Sequence, residues 1–203
     1  TTIALDYKDL TETVASVAPL SDEGEPVLPP YMKPNAGDDT KRSSEAPVVT
    51  TDASDLSKPM EMELVSGGVF RLTGSIKPGS AQNFADEVDR RGEYIEVIEL
   101  NSPGGSVEDA LKIGQLIREK GWATHVTSGA LCASSCPLIF AGGEKRLAAS
   151  KAAIGVHQMF TTSADTRSKP EAISGTQAMT ARITRYLTGM NVEADLWLHA
   201  MET

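Results

Sequence analysis

"YIEVIELNSPGGSVEDALKIGQLIREKGWATHVTS", residues 94–128, decides the fold. It opens on a short, apolar, β-branched run, 94–100, the pattern of a strand covered on both faces. "NSPGGS" interrupts that run. From Val107 to Lys120 the residues Val107, Ala110, Leu111, Gly114 and Ile117 fall on one helical stripe, and Gly121 is the stop signal. "WATHVTS" is strand-like again. A strand, a crossover helix and a further strand make a parallel pair with a right-handed connection, which places the chain in the α/β class.

The neighbouring stretches extend the same alternation. Upstream, "SAQNFADEVDRRG" carries Ala81, Phe84, Ala85 and Val88 at helical spacing, begins with Ser80 as N-cap and ends at Gly92. Before it, "MELVSGGVFRLTGSI" predicts two strands around a Ser66-Gly67-Gly68 turn. Downstream, the pattern predicts a short helix over 134–141, strands at "KRLAA" and "AAIGVHQM", and a last helix with Ile183, Tyr186, Leu187 and Met190 on one face. A domain over 59–203 accounts for all of these elements.

Residues 1–58 have a different texture. They hold 11 of the 28 acidic and 5 of the 19 basic residues, a charge of −6 out of −9 overall, with six of the eleven prolines and no Phe or Trp. Such a segment buries too little apolar surface to offset the entropy of ordering it. A flexible, acidic, Pro-containing linker is expected there. The net negative charge argues against nucleic acid and anionic membrane surfaces as partners. No apolar run approaches the roughly 18 residues of a membrane span. The first residue is Thr and no charged-then-apolar leader is visible, so the expectation is a mature fragment from which an upstream signal or membrane anchor has been removed.

Ligands of parallel sheets sit beyond the carboxyl ends of the strands. Two loops leave strands at that rim, "NSPGG" and "GALCASS". Ser134 and Ser135 lie where a helix begins. A hydroxyl there is ordinarily an N-cap, yet the same position suits a nucleophile beside free N–H groups. Gly104 and Gly105 allow positive φ and let backbone amides approach a ligand, so either could join the Ser135 N–H as a donor to an oxyanion. His157 lies in an apolar strand, usually a core position, but 23 residues after Ser134 it can return to the same rim as a general base. His125 and His199 are weaker candidates.

In that order, "NSPGGSVEDALKIGQLI", "CASSCPLIFAGGEKR" and "AAIGVHQM" resemble the proteolytic subunit of the Clp proteases and its crotonase-like relatives. The resemblance spans about 61–200 and is most specific over 99–159. It is nearest to the shorter, Cys-containing branch described as Clp-like or periplasmic. It implies a fold of repeated β-β-α units around a mainly parallel sheet, with Ser134 as nucleophile and His157 as general base. Gly104, Gly105 and Ser135 are then the oxyanion donors. The family commonly has Met where Ser135 stands and Pro where Met159 stands, so Ser135 remains a rival to Ser134. For the acid that orients the histidine the best candidate is Asp195, with Glu193, Glu202 and Asp165 as rivals.

The expectation is a serine peptidase, a homo-oligomer acting on a peptide or protein, with no metal and no cofactor. The polar stretch 163–176 is expected to be mobile or to form oligomer contacts. An inactive scaffold that kept the fold is the alternative. An acyl-CoA enzyme is a lesser third, since a basic phosphate site is not evident. Cys132 and Cys136 flank the serines as C-x₃-C. In a reducing compartment they are small core residues, and in an oxidising one a disulfide could brace the nucleophile loop. Their spacing does not match common zinc sites. A periplasmic or other extracytoplasmic location is expected, with the cytoplasm as alternative.

Overall fold

The computed structural model describes residues 48–156 and 169–192, with side chains in the second stretch from 177 onward. In chain order the elements are α1 (Ala53–Ser57), β1 (Glu61–Val65), β2 (Val69–Thr73), α2 (Ser80–Arg91), β3 (Val97–Asn101), α3 (Val107–Lys120), β4 (Ala123–Val126), β5 (Leu131–Ala133), α4 (Cys136–Ala141), β6 (Arg146–Ala148), β7 (Ala153–Gly155) and α5 (Lys169–Gly189). One sheet has the order β1-β2-β3-β4-β6, and β5 pairs with β7 in a second, two-stranded sheet. Among the described residues only the β1–β2 hairpin is antiparallel, and every other strand pair is parallel. The mixed α/β class with a mainly parallel sheet is therefore as expected.

The core lies on one face of the larger sheet. Phe70 and Leu72 from β2, Ile98 and Leu100 from β3, and Val126 from β4 are fully buried with Phe84 of α2 and Ile113 and Ile117 of α3. The other face is different. Arg71, Glu99 and His125 stand side by side in register, and Arg71 Nε donates to Glu99 Oε1 at 2.6 Å. The expectation that β3 is covered on both faces thus fails among the described residues. Its residues alternate buried and half-buried, as in a sheet packed on one side only.

Two helix starts are tied together by one carboxylate. Ser106 is the N-cap of α3 and accepts from the Asp109 N–H, while its own hydroxyl donates back to Asp109 Oδ2 at 2.5 Å. The other carboxylate oxygen accepts from the N–H groups of Gly79 and Ala81 at 3.0 and 2.9 Å, at the start of α2. Ser80 is not the N-cap of α2. That place belongs to Gly79, at φ 94°, and Ser80 turns its Oγ to the Lys77 N–H. A left-handed Gly79 leaves its own N–H and that of Ala81 to Asp109, while the Ser80 N–H between them donates to Lys77 O.

Helix ends on the far side share partners as well. Arg118 and Arg146 both donate to the carbonyls of Ala141 and Met190, the C-terminal ends of α4 and α5. Cations suit the unpaired carbonyls and negative pole found there. The predicted stripe Ile183, Tyr186, Leu187 and Met190 is buried as expected, and the Tyr186 hydroxyl donates to the Leu138 carbonyl at 2.6 Å. Residues before 59, expected in the linker, make contacts too. Leu56 is buried, the Thr50 N–H donates to Gly129 O at 2.9 Å, and Thr51 Oγ1 accepts from Asn101 at 2.8 Å. The rest of the expected linker, residues 1–47, lies outside the described residues. So does 163–168 of the expected mobile stretch, of which 169–176 forms the first turns of α5.

Candidate active site

Both loops expected at one rim do meet, and the residues of "NSPGG" divide the work. Asn101 accepts from the Leu131 N–H through Oδ1 at 3.0 Å, which starts β5 alongside β3. Ser102 is fully buried, exchanges backbone hydrogen bonds with Leu131 and Ala133, and accepts the Gly104 N–H on its Oγ at 3.1 Å. Gly104, at φ 94°, fits directly against the serine loop: a Cβ placed there would stand 2.5 Å from Ala133 O, 2.6 Å from Ser134 Cβ and 2.8 Å from Ser135 N. No side chain fits. Gly105, at φ 141°, bridges to Ile76 through its neighbours, since Ile76 N–H donates to Gly104 O and Ser106 N–H to Ile76 O. The Gly105 N–H points away from that bridge, and among the described residues it donates to nothing.

Ser134 is the only residue besides glycine and Asn191 with positive φ among the described residues, at 61°. It follows the last residue of β5, and its N–H donates to Gly155 O at the end of β7 at 3.0 Å. The helix expected from 134 begins at Cys136, with Ser135 as the cap residue and Pro137 in the first turn. The two serines are therefore unlike. Ser134 is half-buried at the rim. Ser135 is 2 % exposed, and among the described residues its hydroxyl has no hydrogen-bond partner. Its backbone N–H, next to Gly104, is likewise free among the described residues. A nucleophile must be reachable, and that separates the two hydroxyls in favour of Ser134.

Cys132 in β5 and Cys136 at the start of α4 are joined in a disulfide with Cα atoms 5.2 Å apart, and both are fully buried. Four residues in a regular helix would have been an awkward separation. Here Cys132 precedes the helix and the chain turns at Ser134 between them. Among the described residues no cluster of His, Cys, Asp and Glu could hold a metal ion.

His157 and Asp195 lie outside the described residues, as do Asp165, Glu193, His199 and Glu202. His125 is placed mid-strand in β4, in register between Glu99 of β3 and Leu147 of β6. Three supporting residues had no place among the candidates: Ser102, Ile76 and Asp109. Asp109 was readable, because "SVED" has the form of a capping box opening a helix. Nothing in "ELNSP" or "TGSIK" singles out Ser102 or Ile76, whose roles arise only from long-range pairing.

No curated protein matches the chain. A model of the Clp protease family matches residues 82–200, more than half its length, and that stretch contains the glycine loop, the serine loop and β7. The chain belongs to the Clp protease family, which points to serine peptidase chemistry.

Proposed function

We propose that the chain is a peptidase that cleaves peptide bonds through Ser134, with His157 as general base and Asp195 orienting the imidazole. The Ser134 Oγ attacks the scissile carbonyl carbon, its proton passes to His157, and the same proton then goes to the leaving amine. Water repeats the sequence on the acyl-enzyme. The N–H groups of Gly105 and Ser135 receive the oxyanion, since the Gly104 N–H is already committed to Ser102. Gly104 keeps the two loops in contact.

The observation that carries this reading is Ser134 itself, a left-handed, accessible serine seated between Gly104 and the end of β7. Strain of this kind collects at functional sites. Gly155 pairs with Ala133 in the β5–β7 register, and His157 is only two residues further along the chain.

The wider reading is a domain over 59–203 of repeated β-β-α units, to which 48–58 add the contacts described above, preceded by an acidic linker. It assembles as a homo-oligomer on protein substrates, as Clp family members typically do. The Cys132–Cys136 disulfide supports an oxidising, periplasmic or otherwise extracytoplasmic setting. The test is labelling with a fluorophosphonate probe. Wild type and Ser135→Ala should be labelled and Ser134→Ala should not; a folded, assembled wild type that takes no label would turn the reading towards a non-catalytic scaffold.

A further inference from the structure

The chain's two cysteines are joined across four residues of sequence. A cross-link stabilises a fold mainly by restricting the unfolded chain, and more so as the closed loop lengthens. A ring this short does little of that. What it restricts is the backbone between its ends: Ala133, Ser134 and Ser135. Those residues include the one non-glycine in the left-handed region at the rim and the free N–H beside Gly104. The ends of the ring are themselves fixed, Cys132 by its pairing with Ile154 in β7 and Cys136 by the first turn of α4.

We propose that the Cys132–Cys136 disulfide is a positioning device for the nucleophile loop. It holds Ser134 at positive φ and keeps the Ser135 N–H beside Gly104, where the Gly105 N–H also lies. Its catalytic consequence rests on the serine-peptidase reading given above; its structural consequence does not. Both cysteines are fully buried, so a dissolved thiol meets them only when the loop opens, and the bond acts as a standing brace rather than a fast switch. Breaking it takes two electrons and two protons from a dithiol, which leaves as its own cyclic disulfide and yields thiols at 132 and 136. The loop is then free to relax Ser134 towards negative φ.

Two measurements on the full chain test this. In the first, amide hydrogen exchange is followed in wild type and in the Cys132→Ala/Cys136→Ala double variant. The Ser134 N–H, bonded to Gly155 O in the braced loop, should exchange about tenfold faster or more in the variant, while amides of β2 and β3 are unchanged. Equal protection of Ser134 in the two proteins overturns the proposal, whatever the activity.

The second follows fluorophosphonate labelling and peptide turnover. The rate of labelling and kcat should fall about tenfold or more in the variant with KM nearly unchanged, because misplacement by a fraction of an ångström acts on the reacting atoms and not on substrate binding. If the double variant does not fold, wild type is reduced slowly with dithiothreitol and re-oxidised. Labelling should fall as free thiols appear and return as they disappear; full labelling with both thiols free overturns the proposal. An oxidised wild type that takes no label, but whose Ser134 amide loses protection on reduction, removes the peptidase reading and leaves the brace standing.

Discussion

Gly104 and Ser134 share a contact with no space for another atom: a Cβ on Gly104 would lie 2.6 Å from the serine's own Cβ and 2.8 Å from the Ser135 nitrogen. Gly104 also sits at φ 94°. Gly104→Ala therefore meets both a clash and a strained dihedral, and the loops must part. A left-handed non-glycine residue by itself costs on the order of 1–3 kcal/mol. We expect kcat/KM to fall about 100-fold or more, as when a reacting group is displaced by about 1 Å. Far-UV circular dichroism should stay native-like while steady-state turnover collapses.

Ser135 gives the opposite expectation. Its hydroxyl is buried with no partner among the described residues, and a buried unpaired group carries a penalty of about 1–3 kcal/mol. Ser135→Ala removes that group and keeps the backbone N–H on which the oxyanion reading depends. Thermal unfolding should show equal or greater stability, by up to about 1 kcal/mol, with turnover within about twofold of wild type. A large loss of activity would instead make Ser135 the nucleophile, the assignment one residue along.

What could be read in the chain was what local pattern controls. The helix over 107–120 and its Gly121 stop, the hairpin at 66–68 and the stripe Ile183, Tyr186, Leu187 and Met190 all stand where periodicity and turn chemistry put them. β5 was not legible. It has three residues, and it exists because Asn101 and Ser102 offer it hydrogen bonds from thirty residues away. The start of α4 was misplaced for a related reason: Ser134 has the composition of a helix start, but its N–H is claimed by Gly155 and the chain turns left-handed before the helix begins. The half-buried polar face of β3 was hidden because Glu99 is flanked by Ile98 and Leu100 in a run that looks continuously apolar.

Asp109 should make the fold sensitive to acid. Burial pushes its carboxyl pKa up, but the Ser106 hydroxyl and the N–H groups of Ala81 and Gly79 outweigh that and hold it below the ordinary carboxylate value. A group whose pKa is lowered on folding adds stability at pH values above its unfolded pKa, about 3.9 for Asp, and that stability is lost as pH falls through the folded pKa. Asp109→Asn should lower stability near neutral pH by about 1–3 kcal/mol, as expected for hydrogen bonds to a charged acceptor. It should also flatten the acid limb of the stability curve below about pH 4. Urea unfolding of both proteins between neutral and acid pH measures this; parallel curves would mean that the carboxylate contributes no charge-dependent stability.

Tyr186 tests the seat of α5. Its hydroxyl donates to the Leu138 carbonyl at 2.6 Å, directly over Gly114, where even a methyl group would collide with that oxygen. Burial pushes the phenol pKa far up, so the group stays protonated and keeps donating near neutral pH. Tyr186→Phe leaves the Leu138 carbonyl without this donor and should cost about 1–2 kcal/mol. Gly114→Ala should cost more, about 2–4 kcal/mol, because α3 can make room only by moving away from α5 and α4. The double variant should be less destabilised than the sum of the two, since removing the hydroxyl first relieves the tightest of the contacts the alanine methyl would make. Strict additivity in chemical denaturation would show that the hydroxyl does not set the closeness of α3 to α5.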